Sequence, residues 1–321
     1  MIAATAPGKL FLTGEWAVLR GAPALVVAVD RVVRVEMDVT LGRGPLAVDS
    51  IAEGRTWHGD VAAETLPGGD AGAVLAALRG FAPVRGRITV DSRPLLIGER
   101  KLGLGRSAAT IAAAIVARRA VDCLPDTLDA VLADALAANA IFQNGVGSGA
   151  DVAAAVYGGV VAAERHAERL AVARRTLPTG LHLVAGWTGD SAATTPLVAA
   201  FAGMPSPPVL DELAAVARAA GAAMDAGDGD ALCGAVDRCG TLLARFGRET
   251  GLPIMTPALE RLIDAAHRAG AVAKPSGAGG GDCGIALASS PTVAAAVRAA
   301  WRDAGILPLD ITVAHEGAAR G

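Results

Sequence analysis

Lys101-Leu102-Gly103-Leu104-Gly105-Arg106-Ser107-Ala108-Ala109 runs without another Gly or Pro into the alanine-rich stretch that ends at Ala120. A glycine loop feeding a helix is therefore predicted. Gly103 and Gly105 remove the Cβ atoms that would hold a ligand off the backbone, and the first N–H groups of the helix lack intrahelical partners and carry partial positive charge. Anions bind at such a helix start. The loop lacks the Gly-Lys-Ser/Thr ending of a Walker loop and the third glycine of the dinucleotide fingerprint. Taken by itself it reads equally as a tight strand-to-helix turn. Ser107, at the helix start, offers its hydroxyl either as a structural cap or as an oxygen ligand for a divalent cation.

Two further glycine-rich stretches accompany it. One is Ala6-Pro7-Gly8-Lys9-Leu10-Phe11-Leu12-Thr13-Gly14-Glu15, the other Lys274-Pro275-Ser276-Gly277-Ala278-Gly279-Gly280-Gly281-Asp282. The chain holds 26 arginines and three lysines, and Lys9, Lys101 and Lys274 all lie at the edges of these stretches. A compact ammonium serves a phosphate site as a point charge, where the forked guanidinium is a poor substitute. A codon bias that happened to spare three lysines gives the same pattern.

With 321 residues, 52% hydrophobic and 19% charged, the chain is globular and long enough for two domains. A net charge of −3 and a pI near 6.0 exclude the basic footprint of a nucleic-acid binder. Cys123, Cys233, Cys239 and Cys283 form no Cys-x-x-Cys pair and have no His at zinc spacing, so they read as reduced cytosolic thiols. No run approaches a membrane span, and the N-terminus lacks the charge and apolar pattern of a leader. A cytoplasmic protein without membrane or nucleic-acid partners, monomeric or homodimeric, is expected.

Strand signals cover Leu10–Leu12, Ala24–Val29 and Arg31–Met37, where Val33, Val35 and Met37 alternate. Residues 42–86 are ambiguous apart from a helix over 71–78. A strand is predicted over 88–91, helices over 107–120 and 127–142, a tight loop over 145–151, then a short helix and a strand over 160–163. Pro178-Thr179-Gly180 supplies the turn chemistry for a domain boundary. Beyond it we expect a strand over 182–187, helices over 209–226, 229–247 and 256–269, a strand over 285–288, a helix over 291–304 and a strand over 311–314. Strands and helices mix without strict alternation, which indicates α+β.

Pro-Gly-Lys followed by Thr-Gly-Glu, then Gly-Leu-Gly-Arg-Ser-Ala-Ala, then Ser-Gly-Ala-Gly-Gly-Gly-Asp, together resemble the GHMP family of small-molecule kinases. The segments Gln143 to Gly159 and Gly186 to Thr194, and the aromatic Trp16 after Gly14-Glu15, are similar to the branch acting on phosphomevalonate. The resemblance implies a two-domain α+β fold. Residues 1–178 would form the N-terminal ATP-binding domain, with a left-handed βαβ-type phosphate loop, and 179–321 a C-terminal ferredoxin-like domain, the two substrates meeting in a cleft between them. It implies ATP and Mg²⁺, with mevalonate, a sugar or a homoserine-like acceptor as alternatives to phosphomevalonate. A catalytically idle ligand-binding member is the reading of a different class.

Carried over by motif, Lys101, Gly103, Leu104, Gly105, Arg106, Ser107 and Ala108 would hold ATP, with Ser107 on Mg²⁺. Lys9 and Asp151 would be catalytic and flank the acceptor oxygen. Ser148, Gly149, Thr194, Gly277, Ala278 and Gly279 would complete the acceptor site. In a loose phosphoryl-transfer transition state, a carboxylate can hold the acceptor hydroxyl in line while an ammonium offsets charge on the transferring group. The alternative for Asp151 is a helix N-cap. Arg106 stands where the family usually has Ser. Its guanidinium either reaches a phosphate or turns away to cover the helix with its stem. Asn139 and Ala140 lie where mevalonate kinases present a metal-binding Glu. A phosphorylated acceptor needs cations beyond those on ATP, and Arg93, Arg100, Lys101 and Arg106 are near in sequence. Trp187 either lines the acceptor pocket or packs the core. The five histidines are scattered and form no triad spacing.

Overall fold

The computed structural model describes residues 1–61, 65–166, 169–192 and 194–321. In chain order they form β1 (Ile2–Thr13), β2 (Ala24–Leu41), β3 (Leu46–Ser50), β4 (Arg55–Gly59), α1 (Gly69–Leu78), β5 (Val84–Asp91), β6 (Leu96–Ile97), β7 (Arg100–Lys101), α2 (Arg106–Val121), α3 (Leu128–Phe142) and α4 (Ala150–Tyr157). There follow β8 (Val160–His166), β9 (Arg169–Arg175), β10 (His182–Trp187), α5 (Thr194–Ala202), α6 (Val209–Ala226), α7 (Gly229–Thr250), α8 (Pro257–Arg268), β11 (Val272–Pro275), β12 (Cys283–Ala288), α9 (Pro291–Asp303), β13 (Leu307–Leu309) and β14 (Ala319–Arg320). Two compact units result. The first comprises Met1–Lys9, Ala28–Gly159 and Ala314–Gly321, the second Leu10–Val27 and Val160–Val313. The Pro178-Thr179-Gly180 turn joins β9 to β10 within the second unit.

In the first unit the strands follow the order β14-β1-β2-β5-β3-β4. β3 and β5 run parallel, with Leu46 opposite Gly86 and Ser50 opposite Val90, and the chain returns between them through β4 and α1. The alanines of α2 allow close helix packing. Ala108, Ala109, Ala112, Ala113, Ala114 and Ala117 of α2 are all sealed from solvent, and α2 packs on α1, α3 and α4. A helix apolar on every side belongs in an interior. Arg118 is accommodated there by Asp122 one turn on, at 2.9 Å, with Phe81 under its guanidinium.

The second unit carries a four-stranded antiparallel sheet in the order β11-β12-β10-β13. Along the chain this reads strand, helices, two strands, helix, strand, which is the ferredoxin-like arrangement. Trp301 of α9 is fully buried and its indole N–H donates to Leu262 O at 2.8 Å. With only four Trp, one Tyr and five Phe in the chain, aromatic anchors are scarce. Trp16, Phe201 and Phe246 nevertheless converge, with ring centroids 5.0–5.4 Å apart.

Departures from expectation have local causes. The last strand of the sheet is β13 rather than 311–314: Pro308 argues against a strand, but β13 pairs with β10 alone, and an edge strand tolerates a missing N–H. Helix α5 was not anticipated, and the ambiguous 42–86 stretch resolves into β3, β4, α1 and the start of β5.

Candidate active site

The loop before α2 is anchored by buried side chains that alternate with glycines. Leu102 and Leu104 are buried, while Gly103 and Gly105 adopt φ of 76° and 74°. A Cβ on Gly105 would stand 2.8 Å from Cγ of Lys9, and one on Gly8 would stand 2.8 Å from Leu104 O. Close approach thus requires glycine at both positions, and at Gly105 the positive φ requires it as well. Lys9 N–H donates to Leu104 O at 2.8 Å and Lys9 Nζ donates to Gly103 O at 3.2 Å. The first and second glycine stretches are therefore one structure, with the Lys9 ammonium tied to the loop.

Gly105 occupies the cap position of α2 and no side chain caps the helix. The first N–H to find an intrahelical partner is that of Ala109, which donates to Gly105 O at 3.1 Å. The N–H groups of residues 106–108 are left without intrahelical partners, as at any helix start. Ser107 is the second helical residue and half-buried, so the cap role is not the one it performs. Lys101 is exposed on β7. Arg106 Nη2 donates to Glu53 Oε1 at 2.9 Å, and its Nε lies 3.6 Å from Asp70 Oδ1. Its guanidinium stands on two carboxylates. Arg93 is engaged as well, with Asp91 at 2.7 Å.

At α4 the cap position again belongs to a glycine, Gly149 at φ 78°. Asp151 is the second helical residue, half-buried, with Oδ1 accepting from Val152 N–H at 3.0 Å. It is not the N-cap. Ser148 Oγ accepts from Ala150 N–H at 3.3 Å and shapes the turn. Lys9, Gly103–Ala108 and Ser148–Asp151 all belong to the first unit. Asn139 is buried, and its Oδ1 accepts from Gln143 Nε2 at 3.1 Å. Among the described residues no group of three His, Cys, Asp or Glu could hold a metal.

The third glycine stretch belongs to the second unit. Lys274 is fully buried and ion-pairs with the equally sealed Glu15, while also donating to Pro275 O at 2.6 Å. Lys274, the third lysine at the edge of a glycine stretch, has its ammonium engaged by a buried carboxylate. Gly277 N–H reaches the same Glu15 oxygen at 3.4 Å. Gly279, at φ 76°, has Ile254 O where a Cβ would be, at 2.5 Å, and Gly280 N–H donates to Ile254 O at 2.8 Å. Asp282 holds the segment after β10. Its N–H donates to Asp190 O at 2.7 Å, its Oδ1 accepts from Ala192 N–H at 3.0 Å, and its carbonyl accepts from Thr188 N–H at 2.9 Å. Trp187 is buried. Thr194 is exposed at the start of α5, and its neighbour Ala193 lies outside the described residues. Cys239 Sγ donates to Glu15 Oε2 at 3.7 Å. Burial, reinforced by the Glu15 charge, pushes its thiol up to about 12.

Family models match in both halves of the chain. Residues 71–159 match the GHMP kinases N terminal domain and residues 234–307 the GHMP kinases C terminal. The chain is 36% identical to a phosphomevalonate kinase of Streptomyces sp. (strain CL190), over 97% of each chain. It is 30% identical to a mevalonate kinase of Aeropyrum pernix over 88% of this chain and 87% of that one. The chain belongs to the GHMP kinase family. The fold of this GHMP kinase is that of a solved Streptococcus pneumoniae phosphomevalonate kinase in complex with phosphomevalonate and AMPPNP. The two superpose with a TM-score of 0.81 over 98% of this chain and 100% of that one, at 23% identity.

Glu53, Asp70 and the Glu15 to Lys274 pair were not singled out as partners from the sequence. Glu15 stood inside a quoted motif, but nothing in its spacing names a partner 259 residues away. Glu53 lies in the ambiguous 42–86 stretch, which offers no periodicity to fix a face.

Proposed function

We propose that this GHMP kinase transfers the γ-phosphoryl group of ATP to phosphomevalonate, giving diphosphomevalonate. The observation that carries this reading is the 36% identity to a phosphomevalonate kinase over 97% of both chains. Lys9, the 103–108 loop, Asp151 and the 277–281 loop are present as well. The weaker similarity to a mevalonate kinase keeps mevalonate as the second acceptor to test.

In this reading the amides of residues 106–108 and the helix dipole hold the ATP phosphates, with Gly103 and Gly105 leaving the backbone bare. Lys101, exposed beside the loop, supplies a further positive charge. Ser107 Oγ, free of a capping role, is a hard oxygen donor that would suit Mg²⁺. A Mg²⁺ held there would supply positive charge to offset that of the phosphates. Asp151 aligns the acceptor hydroxyl and takes its proton late, and Lys9 compensates charge on the transferring group. Ser148, Gly149, Thr194 and Gly277–Gly279 bind the acceptor. The cytosol is the compartment that suits four free thiols, and no described helix is long and apolar enough to cross a membrane.

A coupled ADP-release assay across phosphomevalonate, mevalonate, galactose and homoserine tests the reading. Phosphomevalonate should turn over fastest. Faster phosphorylation of mevalonate at equal concentration overturns the acceptor assignment.

A further inference from the structure

Arg106 is the first residue of α2, the end of the helix where a cation is least welcome. Two carboxylates meet it there, and each is built into a larger arrangement. Glu53 Oε1 accepts from Arg106 Nη2 at 2.9 Å and from Asp70 N–H at 3.2 Å, while its Oε2 accepts from Arg55 Nε at 2.9 Å. Gly69, at φ 71°, makes that approach possible, since a Cβ there would lie 2.0 Å from Glu53 Oε1. Asp70 is 1% exposed, and its Oδ2 accepts from both Ser50 Oγ and Ser92 Oγ at 2.7 Å. Ser50 Oγ in turn accepts from Glu53 N–H at 3.2 Å.

The network links three things: the end of β3, the first turn of α1, and the residue that joins the phosphate loop to α2. Every polar atom named has a partner, so displacing Arg106 would leave a buried carboxylate short of charge compensation. The Arg106 side chain is 25% exposed, so it is neither sealed away nor free to sweep the loop. Resting on the phosphate-loop reading above, we propose that Glu53 and Asp70 are positioning residues for nucleotide binding: through Arg106 they hold the first turn of α2 in the orientation that presents its amides to the ATP phosphates. This assigns Arg106 to neither of the roles its sequence position suggested. It is a strut between carboxylates that fixes the loop from the side of α1.

Glu53→Gln tests this with little change in size, measured by AMPPNP binding, by KM for ATP against kcat, and by thermal melting. We expect AMPPNP affinity and KM for ATP to worsen by roughly tenfold, the scale of one coupled contact. kcat should stay within about twofold, and KM for the acceptor should not move. Arg106→Ser should show the same split, Arg106→Lys should restore part of it, and the Glu53→Gln, Arg106→Ser double variant should be no worse than the poorer single, because both cut one link. Unchanged AMPPNP affinity in folded Glu53→Gln overturns the proposal, as does strict additivity in the double variant. Tighter AMPPNP binding by Glu53→Gln also overturns it, because the carboxylates would then merely hold Arg106 off the nucleotide. A parent protein that bound no AMPPNP would instead be a failure of the functional reading.

Discussion

Lys9 donates twice to one loop, through its backbone N–H to Leu104 O at 2.8 Å and through Nζ to Gly103 O at 3.2 Å. The ammonium is therefore pre-oriented by the same loop that leads into the first turn of α2. In the proposed reaction a charge fixed in this way would lose little entropy on meeting the transferring phosphoryl group.

Lys9→Met and Asp151→Asn should each lower kcat by roughly a hundredfold or more, as expected for groups acting on the transition state. Neither side chain is a helix cap, so both variants should melt near the parent temperature. Steady-state kinetics beside a thermal melt checks this. Activity within a few-fold of the parent in both variants would remove these residues from the chemistry.

Gly105→Ala probes the same junction from the loop side. Its φ of 74° is left-handed, and the new methyl would press on Cγ and Cε of Lys9 at 2.8 and 2.9 Å. Conformational strain alone costs about 1–2 kcal/mol. The melting temperature should fall by a few degrees. Activity should fall by more than that loss of stability explains, since Lys9 must move; a variant with parental kcat would show that the close approach is dispensable.

Much of this architecture could be read from residues because local signals and final structure agree. The β10 strand, the α6 helix and the glycine-bounded starts of α2 and α4 follow from periodicity and turn chemistry. What could not be read is what depends on long-range partners. The burial of Lys274 and its choice of Glu15, and the turning of Arg106 onto Glu53 and Asp70, are decided by tertiary packing. A lysine beside a glycine loop looks the same in sequence whether it faces a phosphate or an internal carboxylate. The Asp151 cap reading failed by a narrower margin: helix starts are uncertain by a residue or two, and Gly149 took the cap.

The Glu15 and Lys274 pair is sealed, so its two halves should be strongly coupled. Lys274→Met leaves Glu15 buried without its cation, a change that costs about 3–5 kcal/mol. Gly277, whose N–H leans on Glu15, should lose order with it. The double variant Glu15→Leu, Lys274→Met should recover much of the stability, because apolar replacement of a buried pair is often neutral. Lys274→Arg should not rescue, since the bulkier fork does not fit a site closed around an ammonium. Melting of the four proteins decides it: a single variant as stable as the parent would mean the pair is hydrated in solution.

Cys239 touches this pair and supplies a pH test. Its thiol is pushed from an ordinary 9.0 to about 12 by burial, with the Glu15 charge adding to the effect. Below pH 9 the thiol is protonated in folded and unfolded chains alike, and its contribution to stability is fully present. Between pH 9 and about 12 the unfolded chain releases a proton that the folded chain keeps, so stability falls as pH rises, by up to about 1.4 kcal/mol per pH unit. Cys239→Ala lacks that proton. The stability difference between parent and variant should therefore be constant up to pH 9 and shift against the parent from there to pH 11, measured as paired denaturant midpoints. At pH 8, a thiol reagent should label the exposed Cys123 in the folded protein and leave the buried Cys239 untouched until unfolding. Prompt labelling of Cys239, or a difference flat across pH 9 to 11, would mean that the thiol is not sealed against Glu15.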